Sequence, residues 1–431
     1  MKSWPGHSPF FIAPVMAVPR VSFSDRLWPA LAFLLMIVLP FVQREPAPYD
    51  FLLILAMLLL VFSGQRVPSG LAWPALCVVL ILTGYAIGAM FAIHHDGALL
   101  YMRTSSYLSV SLLFFASIIW RAPERVVPAM MIGLVISATI AAIMGIGGYF
   151  SIPNAEAFAL YGRAMGPFKD PNVFGPFLIL PTLYLAQRLT VRPVGDMLWS
   201  LPLLLILLLA LFLSFSRGAW VNFVSAALVF IGLSYATATS RRDRARLVGF
   251  MLLVTAFAAI IVAWMLSIED VRNLFMQRLV LVQDYDASSD GRFGSMLAAF
   301  NMALKHPLGI GPDQWPRIWG LMPHNIYVNV FVSGGLIAFV GFLGLTLMTL
   351  WIGLRALRIK SPFRGVLIIA LAVFIGHAIE GFIIDTNHWR HLYINIGLIW
   401  GLALQSVPLL VGNGSAVSPY KWRCKRRVMN E

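Results

Sequence analysis

Long runs of apolar residues alternate with short polar breaks along almost the whole chain. A membrane-spanning helix needs about 20 apolar residues in succession, and most of the runs approach or exceed that length. The pattern predicts an all-α polytopic integral membrane protein with about 12 transmembrane helices. The predicted spans are 27–42, 49–62, 71–91, 104–120, 127–150, 173–189, 197–215, 218–236, 247–267, 326–350, 366–384 and 392–411.

The composition agrees with this pattern. Of the 431 residues, 59% are hydrophobic and 12% are charged, about half the charged share of a soluble domain. The mean hydropathy is +0.82. These values exclude a soluble globular protein and a disordered chain. Cys77 and Cys424 cannot form a disulfide framework.

The net charge of +14 becomes informative when it is sorted by predicted side. With both termini placed in the cytoplasm, the cytoplasmic side holds 21 of the 32 Lys and Arg residues but five of the 18 Asp and Glu residues. This asymmetry follows the rule that cytoplasmic loops are basic, and no nucleic-acid partner is needed to explain it. The predicted parts are a cytoplasmic tail (1–26), nine spans (27–267), an external loop (268–325), three spans (326–411) and a basic cytoplasmic tail (412–431).

Two predicted external segments are long, 151–172 and 268–325, and long ordered loops often carry function. The second contains two stretches with apolar residues at helical spacing. Such helices suit a membrane surface or the mouth of a helix bundle. The apolar positions are Val271, Leu274, Phe275, Leu279 and Val282 in the first stretch, and Phe293, Leu297, Phe300 and Leu304 in the second.

Three arginines fall on the predicted external side, near or inside these segments. Arg217 interrupts two apolar runs, Arg292 opens the second amphipathic stretch, and Arg163 lies near Lys169 in a Gly- and Pro-rich segment. Each arginine alone also suits a solvated charge, or a side chain that reaches from the membrane to water. Together they favour diphosphate recognition, because guanidinium groups bind phosphate oxygens bidentately.

Histidine and carboxylate residues extend the predicted site. His324 stands where the long loop enters the next span, and its imidazole is either structural or a base for a hydroxyl nucleophile. Glu380, inside a predicted span, is a candidate partner for a site arginine. The last external loop, 385–391, fits a substrate-contact loop or an interfacial cap better than a metal site built on His388 and His391.

Two other functions remain open at this point. Asp284 and Asp286 form an Asp-x-Asp pattern that a metal-dependent glycosyltransferase could use to hold a cation against phosphates. A polysaccharide or small-solute transporter would suit twelve spans. Transporters, however, bind near the bilayer midplane, whereas the polar candidates here gather at the external face.

The order of the motifs resembles the O-antigen ligase and polysaccharide polymerase family, membrane glycosyltransferases of the GT-C type from bacterial envelopes. The similarity is strongest over residues 216–345. The resemblance implies an all-α membrane bundle with a large periplasmic loop, placed in the bacterial inner membrane with its active site facing the periplasm. The motifs are Arg163…Gly166…Phe168…Pro171-Asn172, Ser216-Arg217-Gly218, Gly291-Arg292, His306-Pro307-Leu308-Gly309-Ile310-Gly311, Pro323-His324-Asn325-Ile326-Tyr327 and Gly334-Gly335-Leu336.

The resemblance also implies a donor glycan linked to undecaprenyl diphosphate. It assigns diphosphate binding to Arg217 and Arg292 and activation of the acceptor hydroxyl to His324. Arginines can stabilise the leaving diphosphate as a metal does elsewhere, so we expect inverting transfer with no metal and no cofactor. We expect further substrate contacts from Arg163, Lys169, Asn172, Asn325, Gly309, Gly311 and Arg390.

Two activities within this family differ in their acceptor. A ligase transfers a finished glycan to the lipid A core, and a polymerase transfers a growing glycan to a new repeat unit. One long loop and one histidine motif favour the ligase, and the polymerase is the alternative. The expected partners are the lipid-linked donor, a lipid A core or glycan acceptor, and membrane lipid.

Overall fold

A computed structural model describes residues 23–191, 197–238, 240–279, 288 and 291–406. Several predictions concern residues outside these ranges. They are most of the N-terminal tail, the basic tail 412–431, and the Asp284 and Asp286 pair of the metal-dependent alternative.

The described residues are almost entirely helical. Two short 3-10 segments, Ser69–Leu71 and Glu156–Phe158, and one small hairpin interrupt the helices. The helices are α1 (Phe23–Val38), α2 (Pro48–Phe62), α3 (Ala72–Ala89), α4 (His95–Arg121), α5 (Pro123–Tyr149), α6 (Pro171–Phe177), α7 (Ile179–Val191), α8 (Met197–Leu213), α9 (Arg217–Thr237), α10 (Arg241–Met265), α11 (Glu269–Leu279), α12 (Arg292–Lys305), α13 (Trp315–Trp319), α14 (Ile326–Leu357), α15 (Arg364–Glu380) and α16 (Arg390–Ser406).

The helices confirm an all-α membrane protein but not the count of about 12 spans. Among the described residues, five helices are long and apolar enough to cross a membrane. Other predicted spans form shorter helices, such as α2 with 15 residues and α15 with 17, below the roughly 20 residues of a typical span. The five candidate spans are Ser69–Ala89, His95–Arg121, Pro123–Tyr149, Arg217–Thr237 and Ile326–Leu357.

The predicted single span 173–189 is instead two helices, α6 and α7, which meet at Leu178. Pro176 lies in α6 and Pro181 in the first turn of α7. Proline has no amide hydrogen and clashes with the preceding turn, so it interrupts a continuous helix. Asp170 begins α6 by accepting a hydrogen bond from the Asn172 amide at 2.8 Å.

The core forms where long helices pack in pairs: α3 with α14, α4 with α16, α9 with α15, and α1 with α5. Glycines allow the closest approach. A Cβ atom on Gly84 of α3 would lie 2.5 Å from the Gly334 carbonyl of α14. Small residues at helix contacts are typical of membrane bundles, where backbone packing replaces the hydrophobic effect.

A hairpin of two short strands, β1 (Ala159–Leu160) and β2 (Arg163–Ala164), is a feature that the sequence did not predict. Tyr161 and Gly162 form its turn with φ of 50° and 67°, the positive values that a tight hairpin turn requires. The hairpin fixes Arg163 on the inner side, where its side chain is buried.

Helices α11 and α12 cover the two amphipathic stretches of the long loop, except that Val282 of the first stretch lies outside the described residues. In α11 the apolar stripe packs inward: Val271 is buried, and the Phe275 ring lies 5.7 Å from both Phe212 and Trp220. This helix therefore covers the start of α9.

Candidate functional site

The start of α9 carries Arg217 in a constrained position. Phe215, two residues earlier, has a φ of 44°, in the left-handed region that non-glycine residues rarely adopt. Ser216 then caps the helix, accepting a hydrogen bond from the Ala219 amide at 3.3 Å. Arg217 is the first helical residue and is half-buried.

The start of α14 repeats this arrangement around His324. His324 has a φ of 48°, and Asn325 caps the helix by accepting bonds from the Tyr327 and Val328 amides at 3.0 and 3.1 Å. Left-handed backbone at a bulky residue costs on the order of 1–3 kcal/mol and concentrates at functional sites. Phe215, directly before the Ser216-Arg217-Gly218 motif, and His324 are two of the six non-glycine residues with positive φ among the described residues.

One turn connects the two helix starts. It comprises residues 380–384 at the end of α15, and we call it the Glu380 turn. Its carbonyl oxygens accept hydrogen bonds from the Ile326 amide, the Asn325 side chain and the Arg292 guanidinium, at 2.9, 3.2 and 2.5 Å. The turn therefore holds the segments that carry Arg292 and His324 close together.

Glu380 itself reaches the start of α9. Its side chain is fully buried, and a Cβ atom on Gly218 would lie 2.8 Å from its Oε1. Asn222 donates to Oε2 at 2.6 Å, and its amide nitrogen lies 2.8 Å from His377 Nδ1. Glu380 thus touches the residue that follows Arg217. An ion pair between Glu380 and a site arginine remains a prediction.

Arg163 and Asn172 join the α9 start from the other side. Arg163 donates to the Ser214 carbonyl at 2.9 Å and to Asn172 Oδ1 at 2.8 Å. Ser216 also donates to Asn172 Oδ1, at 2.8 Å. The hairpin and α6 are therefore bound to the residues just before Arg217.

Lys169 and Arg390 lie in a different cluster, built on acids near the start of α2. Arg390 donates to both carboxylate oxygens of Asp50 at 2.9 Å, and Lys169 lies 3.0 Å from Glu45. Asp50 also accepts from Tyr107 at 3.0 Å. These contacts give Arg390 a structural partner, and its contact with substrate remains a prediction.

Gly309 and Gly311 lie where the loop before α13 meets a break in α14. Gly335 has a φ of 66° and a ψ of −165° inside that helix. A Cβ atom on Gly309 would lie 2.6 Å from the Ser333 carbonyl, and one on Gly311 would lie 2.9 Å from the Ala92 side chain. The two glycines therefore allow close backbone packing. Their contact with substrate remains a prediction.

The predicted loop 385–391 folds into the bundle. Asp385 accepts from Asn329 at 2.6 Å, and burial raises the pKa of its carboxyl to about 6. His388 lies 3.0 Å from the Ser105 hydroxyl, and burial lowers the pKa of its imidazole to about 4. The His391 ring packs 5.2 Å from His377. These side chains fill space between helices.

Sequence reasoning missed two parts of the site. Asn222 donates a hydrogen bond to Glu380. The sequence signal that could have identified it is a polar amide side chain inside the apolar run that follows Arg217. The carbonyl oxygens of the Glu380 turn carry no side-chain signal, because any residue supplies a carbonyl.

Comparison with known proteins bears on residues 202–343, which match the family model described as O-antigen ligase. That range contains Arg217, Arg292 and His324, whereas Arg163, Glu380 and Arg390 lie outside it. No curated protein matches the chain. The match confirms the resemblance drawn from the motifs. Residues 202–343, about a third of the chain, are therefore similar to the O-antigen ligase family.

Proposed function

We propose that this protein is a glycosyltransferase of the O-antigen ligase type, which moves a glycan from undecaprenyl diphosphate to a hydroxyl of the lipid A core at the periplasmic face of the inner membrane. The observation that supports this most is the Glu380 turn. It contacts Gly218, Arg292 and Asn325, so one element touches the three motif segments that carry Arg217, Arg292 and His324.

The proposed chemistry uses residue types that suit it. Arg217 and Arg292 bind the diphosphate oxygens by charge-assisted hydrogen bonds. His324 accepts the proton of the acceptor hydroxyl. The hydroxyl oxygen then bonds to the anomeric carbon, the bond from that carbon to the diphosphate oxygen breaks, and the diphosphate leaves with the electron pair. Attack opposite the leaving group inverts the anomeric centre.

The positions of these residues at helix starts support the proposal. The amino ends of α9 and α14 present the positive end of the helix dipole, which favours anions. A developing negative charge on a diphosphate is the charge that such an arrangement stabilises. No metal or cofactor is part of the proposed step.

Transfer in a defined system tests this proposal. Purified protein is mixed with a synthetic undecaprenyl-diphosphate glycan and lipid A core in the presence of a chelator, and the glycosylated core is measured by mass spectrometry. We expect transfer with inverted configuration. No transfer from any undecaprenyl-linked glycan, to this core or to a second glycan, would overturn the proposal. Activity that needs an added divalent cation would favour a metal-dependent transferase.

Deletion of the gene in its host distinguishes the two possible acceptors. Loss of a ligase leaves undecaprenyl-linked polymer of normal length and a bare lipid A core. Loss of a polymerase leaves single repeat units on the core. The second result would replace the ligase assignment and retain the donor chemistry.

A further inference from the structure

The large apolar residues of helix α12 face outward. Its inner face is made of small residues, Ser295, Ala299 and Ala303, all buried. The outward stripe is exposed over 41–62% of each side chain. The residues of that stripe are Phe293, Leu297, Phe300 and Leu304.

The inner face of α12 is firmly occupied, so the helix cannot rotate to hide the stripe. Ala299 and Ala303 pack against Phe331 and Val332 of α14 in one buried cluster. Ser295 accepts a hydrogen bond from the Trp315 indole at 3.0 Å. The exposed stripe is therefore a fixed surface of the folded chain.

This surface continues onto a candidate membrane span. Leu308 follows α12 and is exposed, and the carbonyl of Pro307 accepts a hydrogen bond from the Leu336 amide at 2.8 Å. Leu336 and Val340 are then exposed on α14. The α12 stripe, Leu308 and the outer side of α14 thus lie next to one another.

The break in α14 sets the level of this junction. From Leu336 to its end at Leu357 the helix is about 33 Å long at 1.5 Å per residue, close to the roughly 30 Å thickness of the hydrocarbon core. The break at Gly335 then falls at the membrane surface. The α14 residues that α12 packs on, Phe331 and Val332, lie about one helical turn before it.

The third face of α12 is polar. Asn301 and Lys305 are exposed, and each follows a stripe residue in sequence, so it points about 100° away around the helix. An apolar face beside a cationic polar face is the pattern of a helix that lies flat in the membrane interface. Exposed Trp319, stacked on Trp315 at 5.4 Å, adds the aromatic residue typical of that layer.

We propose that α12 lies in the outer interface of the membrane, with lipid acyl chains covering Phe293, Leu297, Phe300 and Leu304, and with Lys305 among the headgroups. This surface is independent of the proposed transferase activity. Lipid is the occupant we propose, because the stripe is continuous with the outer side of a candidate span.

Site-directed fluorescence in vesicles tests this placement. The full chain carries Cys424→Ser, and Cys77 is buried, so one introduced cysteine takes the fluorophore. Leu304→Cys is compared with Lys305→Cys, and Phe300→Cys with Asn301→Cys, in phosphatidylcholine vesicles. We expect shallow nitroxide lipids to quench the labels at 304 and 300 several-fold more than their partners, and aqueous iodide to show the reverse order.

Two outcomes would overturn the proposal. Equal iodide quenching within each pair would show that the stripe faces water. Shielding of the labels at 304 and 300 from both quenchers would show a protein partner on the stripe. Two pairs guard against one disturbed variant, and each labelled protein must elute as the unlabelled protein does in size-exclusion chromatography.

Discussion

Two polar clusters on the predicted external side use arginine in different ways. At the Glu380 turn, segments from α9, α12 and α14 converge, and the Arg292 guanidinium donates to a backbone carbonyl. At the second cluster, Arg390 makes two hydrogen bonds to the carboxylate of Asp50. The first cluster gathers distant motifs, and the second joins α16 to the start of α2.

The difference shows that an external arginine in a membrane protein is not by itself a site residue. A buried carboxylate that stays ionised is stabilised by a cation, and Asp50 is buried. Arg390 supplies that cation. Arg217 and His324 are distinguished by where they stand, at helix starts with left-handed backbone at Phe215 and His324, rather than by their charge alone.

His324→Ala gives the strongest test of this difference between the two clusters. If the Glu380 turn is the active site, loss of the base should lower the rate of glycan transfer by about 10²–10⁴-fold, with no change in the thermal midpoint of unfolding. The rate is measured with the purified variant and saturating donor. His95→Ala, at an exposed histidine at the start of α4, is the control and should keep the normal rate. Near-normal transfer by the His324 variant would refute the mechanism.

The second cluster should respond in stability. Arg390→Met keeps most of the side-chain length but leaves the Asp50 carboxylate buried without its cation. We expect the free energy of unfolding to fall by about 3 kcal/mol, measured by denaturation in detergent. Transfer per folded molecule should remain near normal. Loss of transfer with unchanged stability would instead support the sequence prediction that Arg390 contacts substrate.

Arg292→Ala should weaken donor binding, in addition to removing the hydrogen bond to the Ile383 carbonyl. Removal of one charge-assisted contact to phosphate weakens binding by about 10- to 100-fold, so the KM for the undecaprenyl-diphosphate donor should rise by that factor. The KM for the acceptor should stay the same. Arg272→Ala, at an exposed arginine of α11, controls for the loss of a cation from the same predicted external loop. An equal rise of KM in both variants would contradict a specific role for Arg292.

Sequence patterns anticipated the fold and the site to different degrees. Apolar runs predicted the helices because helix formation in a membrane depends on local composition. Arg217 and His324 were found because they are polar residues at the edges of apolar runs. The partner of Arg390 could not be predicted, since Asp50 lies 340 residues away. The packing of Gly309 against Ser333 could not be predicted either. In the sequence, a glycine that packs against backbone looks the same as a glycine that contacts substrate.

The smallest expected effect concerns Asp385, which lies between the two clusters, directly after the Glu380 turn. Burial raises the pKa of its carboxyl from 3.8 to about 6, so the folded chain keeps this proton at pH values where the unfolded chain has lost it. Stability from this group is present below about pH 4 and is lost as the pH rises to about 6.

Asp385→Asn should remove this dependence. The wild-type free energy of unfolding should fall by about 1–2 kcal/mol more than that of the variant between pH 4 and pH 6, measured by denaturation at each pH. Asp96→Asn, at an exposed aspartate of α4, should leave the wild-type curve unchanged. Parallel curves for wild type and Asp385→Asn would show that the carboxyl titrates without consequence for the fold. The hydrogen bond from Asn329 to residue 385, which an asparagine there can still accept, would then hold this segment in place whatever the charge of the side chain.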